Sequence, residues 1–137
     1  MHFFAENVPL PDFNKSKITS WIKNIITEES KKPGEISFIY TTDQDLLNLN
    51  TSFLGRDNYT DVITFDYCDG NIISGDIFIS IDRVRENAIA FDEPFMRELC
   101  RVMSHGILHL LGYKDKTKKE SEIMRSRENT CLTCLYL

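Results

Sequence analysis

The chain has 137 residues, enough for one domain around one buried core. Hydrophobic residues make up 42%, which excludes disorder, and no apolar run approaches the roughly 20 residues of a membrane span. The formal charge of −5 argues against non-specific nucleic-acid binding, and a start without a basic segment and an apolar core predicts no signal peptide and a cytoplasmic protein.

Ile18, Trp21, Ile22, Ile25 and Ile26 recur at helical spacing, which predicts an amphipathic helix over about 14–30, capped by Asp12 or Asn14. Pro33-Gly34 is read as the end of the connection that follows. Residues 35–41 alternate, with Ile36, Phe38 and Tyr40 on one side, and read as a strand. Asp43 opens a second helix whose Leu46, Leu49 and Phe53 share a face. A turn at 55–58 leads to a strand over 61–67, and Asp69-Gly70-Asn71 makes a hairpin turn into a strand over 72–81, with a bulge expected at Gly75. Val84, Ala88 and Phe91 mark a third helix, and Pro94 suits the first turn of a fourth, with Asp92 or Glu93 near its cap. A last helix spans about 117–129. This order predicts a single α+β domain over residues 1–137, a small mixed β-sheet packed on helices.

The fourth helix carries the most informative run, His105-Gly106-Ile107-Leu108-His109-Leu110-Leu111-Gly112-Tyr113-Lys114-Asp115. Two histidines four residues apart lie on one helical face, one turn apart. Val102, Met103, Ile107, Leu108, Leu110 and Leu111 surround them, so this helix belongs in the interior, at the centre of the fold. Histidines there need partners: core hydrogen bonds serve an isolated pair, whereas a metal ion satisfies both at once. Gly112 allows the chain to turn back, and Asp115 can then reach the histidine face. H-x-x-x-H-x-x-G-x-x-D is the ligand spacing of zinc enzymes, so Zn²⁺ held by His105, His109 and Asp115 is the expectation, one ion per chain. Zinc peptidases with this spacing carry a general-base Glu after the first histidine, where this chain has Gly106.

The stretch resembles the YbeY family of zinc-dependent endoribonucleases and ribosomal-RNA maturation factors, whose pattern is close to H-G-x-L-H-L-x-G-Y-x-H. His105-Gly106, Leu108-His109-Leu110 and Gly112-Tyr113 match it. Residues 59–65, Tyr-Thr-Asp-Val-Ile-Thr-Phe, are similar to the family's P-T-D-V-L-S-F, and residues 74–80, Ser-Gly-Asp-Ile-Phe-Ile-Ser, to its L-G-D-I-x-I-S. The resemblance covers roughly residues 35 to 128. It implies the same zincin-like α+β architecture, a cleft shaped by Thr60 and Asp61, ribosomal RNA as substrate, and ribosomal or small-subunit proteins and a GTPase as partners. A strand-start threonine and a turn carboxylate are the plain alternatives for Thr60 and Asp61. Arg56 is read as a phosphate contact or a solvated turn arginine.

Two departures stand out. Asp115 replaces the family's third histidine, which lowers the charge of the centre from +2 to +1 and makes a zinc-bound water less acidic. Leu54 occupies the position of an arginine proposed to be catalytic in the family, so that role is not carried over.

The function expected is a metal-dependent endoribonuclease in ribosomal-RNA processing and small-subunit quality control. Residues 113–127 hold six basic side chains against three acidic ones, a local basic rim beside the histidines or an ordinary solvated helix face. One alternative is a non-catalytic Cys₂His₂ zinc module, with Cys131 and Cys134 joining His105 and His109, that only binds RNA or the ribosome. A zinc metallopeptidase is the other. Cys68, Cys100, Cys131 and Cys134 are all expected as free thiols, Cys100 by plain packing, and the Cys131-x-x-Cys134 pair reads as a redox pair, half a zinc site or an incidental spacing.

Overall fold

A computed structural model describes residues 1–135. The chain runs β1 (His2–Ala5), α1 (Lys15–Glu28), β2 (Lys32–Thr41), α2 (Asp43–Leu54), β3 (Val62–Asp66), β4 (Ile72–Ser80), α3 (Ile81–Ala90), α4 (Phe95–Leu110) and α5 (Lys118–Thr133). One sheet has the order β1-β2-β4-β3, with β1, β2 and β4 parallel and β3 antiparallel on the edge beside β4. This is the single α+β domain with a mixed sheet that the sequence predicts.

The register sorts the strands into two faces. Phe3, Ile36, Phe38, Tyr40, Ile77 and Ile79 share the face against which α1 and α4 bury their apolar stripes. Ile18, Ile22, Ile107 and Leu108 are completely buried in that layer, each contributing about 1.5–3 kcal/mol by leaving water. Tyr40 and Met103 meet there through a long Oη–Sδ contact of 3.5 Å, and Trp21 Nε1 donates to the Cys131 carbonyl at 2.8 Å, tying α1 to α5. The opposite face carries Phe4, Ile39, Ile63 and Phe78, with Leu46 of α2 as a second, smaller buried point.

The caps follow local chemistry. Asn14, rather than Asp12, caps α1 by accepting from Lys17 N at 3.1 Å. Thr42 caps α2, and Asp43 opens the helix as its first residue. Thr117 and Glu120 form a reciprocal capping box at the start of α5. Pro94 itself occupies the cap position of α4 with no side-chain bond, and Glu93 pairs with Arg97 at 3.4 Å instead of capping.

Several expectations change. β1 was not expected; it is four residues long and gains its hydrogen bonds only from β2, a partner far along the chain. Pro33-Gly34 lies inside β2, because Lys32 and Pro33 already pair with Ile72 and Ile73. The irregularity falls between Pro33 and Ile36 on β2, not at Gly75. Gly75 is required for another reason: a Cβ there would meet the Phe65 carbonyl at 2.5 Å. Phe53 is 68% exposed and Phe91 57% exposed, so neither joins the core. The last turn of α2 buries Asn50 instead, which donates to the Asn58 carbonyl at 2.8 Å. Helix α5 continues past residue 129 and takes Cys131 into the core.

Candidate metal centre

Helix α4 lies across β3 and β4, and His105 and His109 leave it on the side toward α5 and the β3 edge. Gly112 adopts φ +104°, and the Tyr113 N–H returns to the Leu108 carbonyl at 3.0 Å. This turn delivers Asp115 to the histidines. His105 Nε2 and His109 Nε2 are 3.0 Å apart, and Asp115 Oδ2 lies 3.3 Å from the first and 3.5 Å from the second. Three donors about 2.0–2.1 Å from a tetrahedral zinc sit about 3.3–3.4 Å from one another, so the triangle has the right size.

The other ring nitrogens are held. His105 Nδ1 lies 2.7 Å from Glu128 Oε2, and His109 Nδ1 lies 3.0 Å from the Tyr113 carbonyl. Both partners only accept, so each Nδ1 carries the proton and each Nε2 presents a lone pair. Two lone pairs and a carboxylate oxygen converging on one point repel unless a positive charge lies among them. Burial disfavours the charged form of both rings, but Glu128, Asp61 and Asp115 outweigh it at His105 and raise its pKa, while burial and the neighbouring His105 lower that of His109. The donor set fits a divalent ion, and His105, His109 and Asp115 form a group able to hold one.

Glu128 is 4% exposed, and its other oxygen lies 3.5 Å from Arg101 Nη1. Arg101 also approaches the buried Glu98 at 3.4 Å and donates to Asn129 Oδ1 at 3.0 Å. Glu98, Arg101 and His105 follow one another at i, i+3 and i+7 along α4, so one helical face carries the network. None of these partners was expected from sequence. The available signal for Glu128 was a carboxylate at i+4 from Met124 and i−3 from Cys131, on a stripe that is otherwise buried and apolar.

A cleft of about 370 Å³ opens beside the triad and is lined by Arg56, Thr60, Asp61, Lys116, His105, His109 and Asp115, among others. The three candidate substrate residues therefore come to the same place as the histidines. Thr60 Oγ1 donates to the Val62 carbonyl at 3.2 Å, so its hydroxyl serves the local turn. Burial raises the Asp61 carboxyl pKa, partly offset by His105. Leu54 lines the cleft and is 47% exposed. On the far side of His105 a second cavity of about 230 Å³ is lined by Arg101, Arg125, Glu98 and Glu128.

A model of the family described as endoribonuclease YbeY matches residues 5–136. The chain belongs to the YbeY family. Among curated relatives called endoribonuclease YbeY, that of Phocaeicola vulgatus is 49% identical over 133 residues, which cover 97% of this chain and 96% of the relative. That of Bacteroides thetaiotaomicron is 48% identical over 128 residues, covering 93% of each chain. The solution structure of TM1509 from Thermotoga maritima superposes with a TM-score of 0.62 at 28% identity, covering 96% of this chain and 87% of that one.

The alternative sites find no support. Cys131 and Cys134 line a cavity with Trp21, Asn24 and Arg127, and among the described residues they form no metal-binding group with the histidines. Gly106 packs on the sheet, where a Cβ would meet Ile77 Cγ2 at 2.8 Å, so a peptidase's glutamate at that position would enter the core. No helix among the described residues is long and apolar enough to cross a membrane.

Proposed function

We propose that residues 1–137 form one zinc-dependent endoribonuclease domain that processes ribosomal RNA, with His105, His109 and Asp115 as the metal ligands. The observation that carries this reading is the convergence of His105 Nε2, His109 Nε2 and Asp115 Oδ2, with both opposite ring nitrogens already held, at the wall of an open cleft. Relatives over nearly the whole chain are called endoribonucleases.

A zinc ion held by His105, His109 and Asp115 would supply Lewis acidity to a phosphate oxygen and to the leaving group. The chain's own residues do the rest. Glu128 and the Tyr113 carbonyl fix both rings in the tautomer that turns Nε2 inward. Arg56 and Lys116 at the cleft draw backbone phosphates, and Thr60 and Asp61 form its wall. Gly106 supplies no proton acceptor, yet RNA carries its own nucleophile in the 2′-hydroxyl. Asp115 in place of a third neutral imidazole leaves the occupied centre at +1, a weaker electrophile than a three-histidine site. The family resemblance supports a cytoplasmic setting, small-subunit ribosomal proteins and a GTPase as partners, and a role in small-subunit quality control.

The test is cleavage of ribosomal-RNA precursors by zinc-replete protein, with His109→Ala purified in parallel and an unstructured peptide as control substrate. Wild type should cut RNA and spare the peptide, and His109→Ala should cut neither. Equal RNA cleavage by the two preparations, or none by wild type, sinks the assignment.

A further inference from the structure

Asp115 reaches the metal centre on a segment with little backbone support. The Gly112 and Tyr113 N–H groups return to the carbonyls of His109 and Leu108, both at 3.0 Å, and Thr117 begins the capping box of α5. Among the described residues, Lys114, Asp115 and Lys116 make no backbone–backbone hydrogen bond. The fixed point of this stretch is the Tyr113 side chain. Its Oη donates to Glu29 Oε1 at 2.7 Å, and Arg127 Nη2 donates to the same oxygen at 2.8 Å. The Arg127 guanidinium carbon also lies 5.8 Å from the centroid of the Tyr113 ring, within reach of a cation–π contact.

Both supports of the phenol belong to anchored helices. Arg127 lies on α5 next to Glu128. Glu29 is the C-cap of α1, where the Glu29 and Lys31 N–H groups both return to the Ile26 carbonyl at 3.2 Å and Ile26 is completely buried. A carboxylate at the C-terminal end of a helix opposes the helix dipole, and no basic residue in the last turn of α1 offsets it. Local helix chemistry therefore gives no reason for Glu29, whereas its distant partners Tyr113 and Arg127 do.

Tyr113 serves the centre twice. Its carbonyl accepts from His109 Nδ1 at 3.0 Å, and Asp115 follows two residues later in the chain. We propose that Glu29, held by Arg127, is a positioning residue of the metal centre: it clamps Tyr113 and through it sets both His109 and Asp115. The clamp rests on the assignment of His105, His109 and Asp115 as ligands and adds to it a support from α1. Helix α5 then braces both rings, with Glu128 on His105 directly and Arg127 on His109 through Glu29 and Tyr113. Donors fixed in this way bind more tightly, because less ordering is left for binding to impose.

The experiment titrates zinc into full-length protein against a chromophoric chelator, at a temperature where every metal-free variant is folded. Tyr113→Phe keeps the ring and the carbonyl and removes only the donor to Glu29. It should weaken zinc binding about 10-fold, the lower end of the range for a group that orients a ligand, and Glu29→Ala should do the same. Glu29→Gln keeps an acceptor for the phenol and should stay closer to wild type than Glu29→Ala. Both losses act through one hydrogen bond, so the double change Tyr113→Phe, Glu29→Ala should match either single change to within about twofold. A merely structural role would lower the Tm of metal-free protein and leave the zinc affinity of the folded protein where it was. Single variants that both bind zinc within about twofold of wild type overturn the clamp and leave the ligand assignment standing, as do losses that simply multiply in the double variant. Wild-type protein that takes up no zinc overturns both.

Discussion

Glu128 offers the sharpest test of how the centre is built, because it is not one of the three converging donors yet holds one of them in place. Its Oε2 accepts from His105 Nδ1 at 2.7 Å, and the residue is 4% exposed. Replacing it with Gln preserves volume and an acceptor but removes the charge; replacing it with Leu removes both. Loss of such a partner costs about 10- to 100-fold in metal affinity, or about 1.4–2.7 kcal/mol. Glu128→Leu should reach the upper end, since the ring is then free to rotate, and Glu128→Gln the lower. Zinc affinity is read by competition with a chromophoric chelator. The second readout is the difference in Tm between zinc-saturated and zinc-free protein, which cancels the effect of the substitution on the fold itself. At about 3–4 °C per kcal/mol for a domain of this size, that difference should shrink by about 4–11 °C in Glu128→Leu and by less in Glu128→Gln. If both variants bind zinc as wild type does, while Tm without zinc falls, Glu128 serves only the core and the assignment of its role is wrong.

Asp115→Ala should lose most zinc binding and Asp115→His should retain it, as measured by elemental analysis; wild-type zinc content in the alanine variant removes Asp115 from the ligand set. Gly106→Ala should destabilise by up to about 2 kcal/mol, overpacking against Ile77 being offset in part by better helix propensity. In urea titrations Ile77→Ala should cost less in that background than alone, and strict additivity would contradict the packing argument. Burial pushes the Cys100 thiol up to about 12 and Cys131 up to about 11, whereas Cys134 is exposed, so native protein should alkylate at Cys134 and spare the other two. The double change Cys131→Ala, Cys134→Ala should leave zinc content intact while lowering Tm, because Cys131 is buried. Asp45 accepts from Thr41 and Asn7, which lowers its carboxyl pKa in the folded state. A depressed folded value means stability that is present above the unfolded value of 3.8 and is lost as pH falls through the folded one. Asp45→Asn should therefore flatten the acid limb of a stability–pH profile between about pH 5 and 2, and an unchanged limb refutes it.

The triad was legible because its geometry is local. His105 and His109 are fixed on one face by helical periodicity, and Gly112 can only turn the chain where φ is positive, so eleven consecutive residues contain the three donors and the reason they meet. The main helices were legible for the same reason: apolar spacing over 14 residues in α1 and 16 in α4 reports a face directly. Tertiary structure alone brings Glu128 from α5 and Asn50 from α2 to that face, since nothing in their local sequence encodes a partner 23 or more residues away. It also decides β1, whose four residues carry too little pattern to declare a strand without β2 beside them. The irregularity in β2 is of the same kind. Glycine marks both Gly34 and Gly75 as places of close approach, but only the pairing register of the assembled sheet determines which strand takes the extra residue.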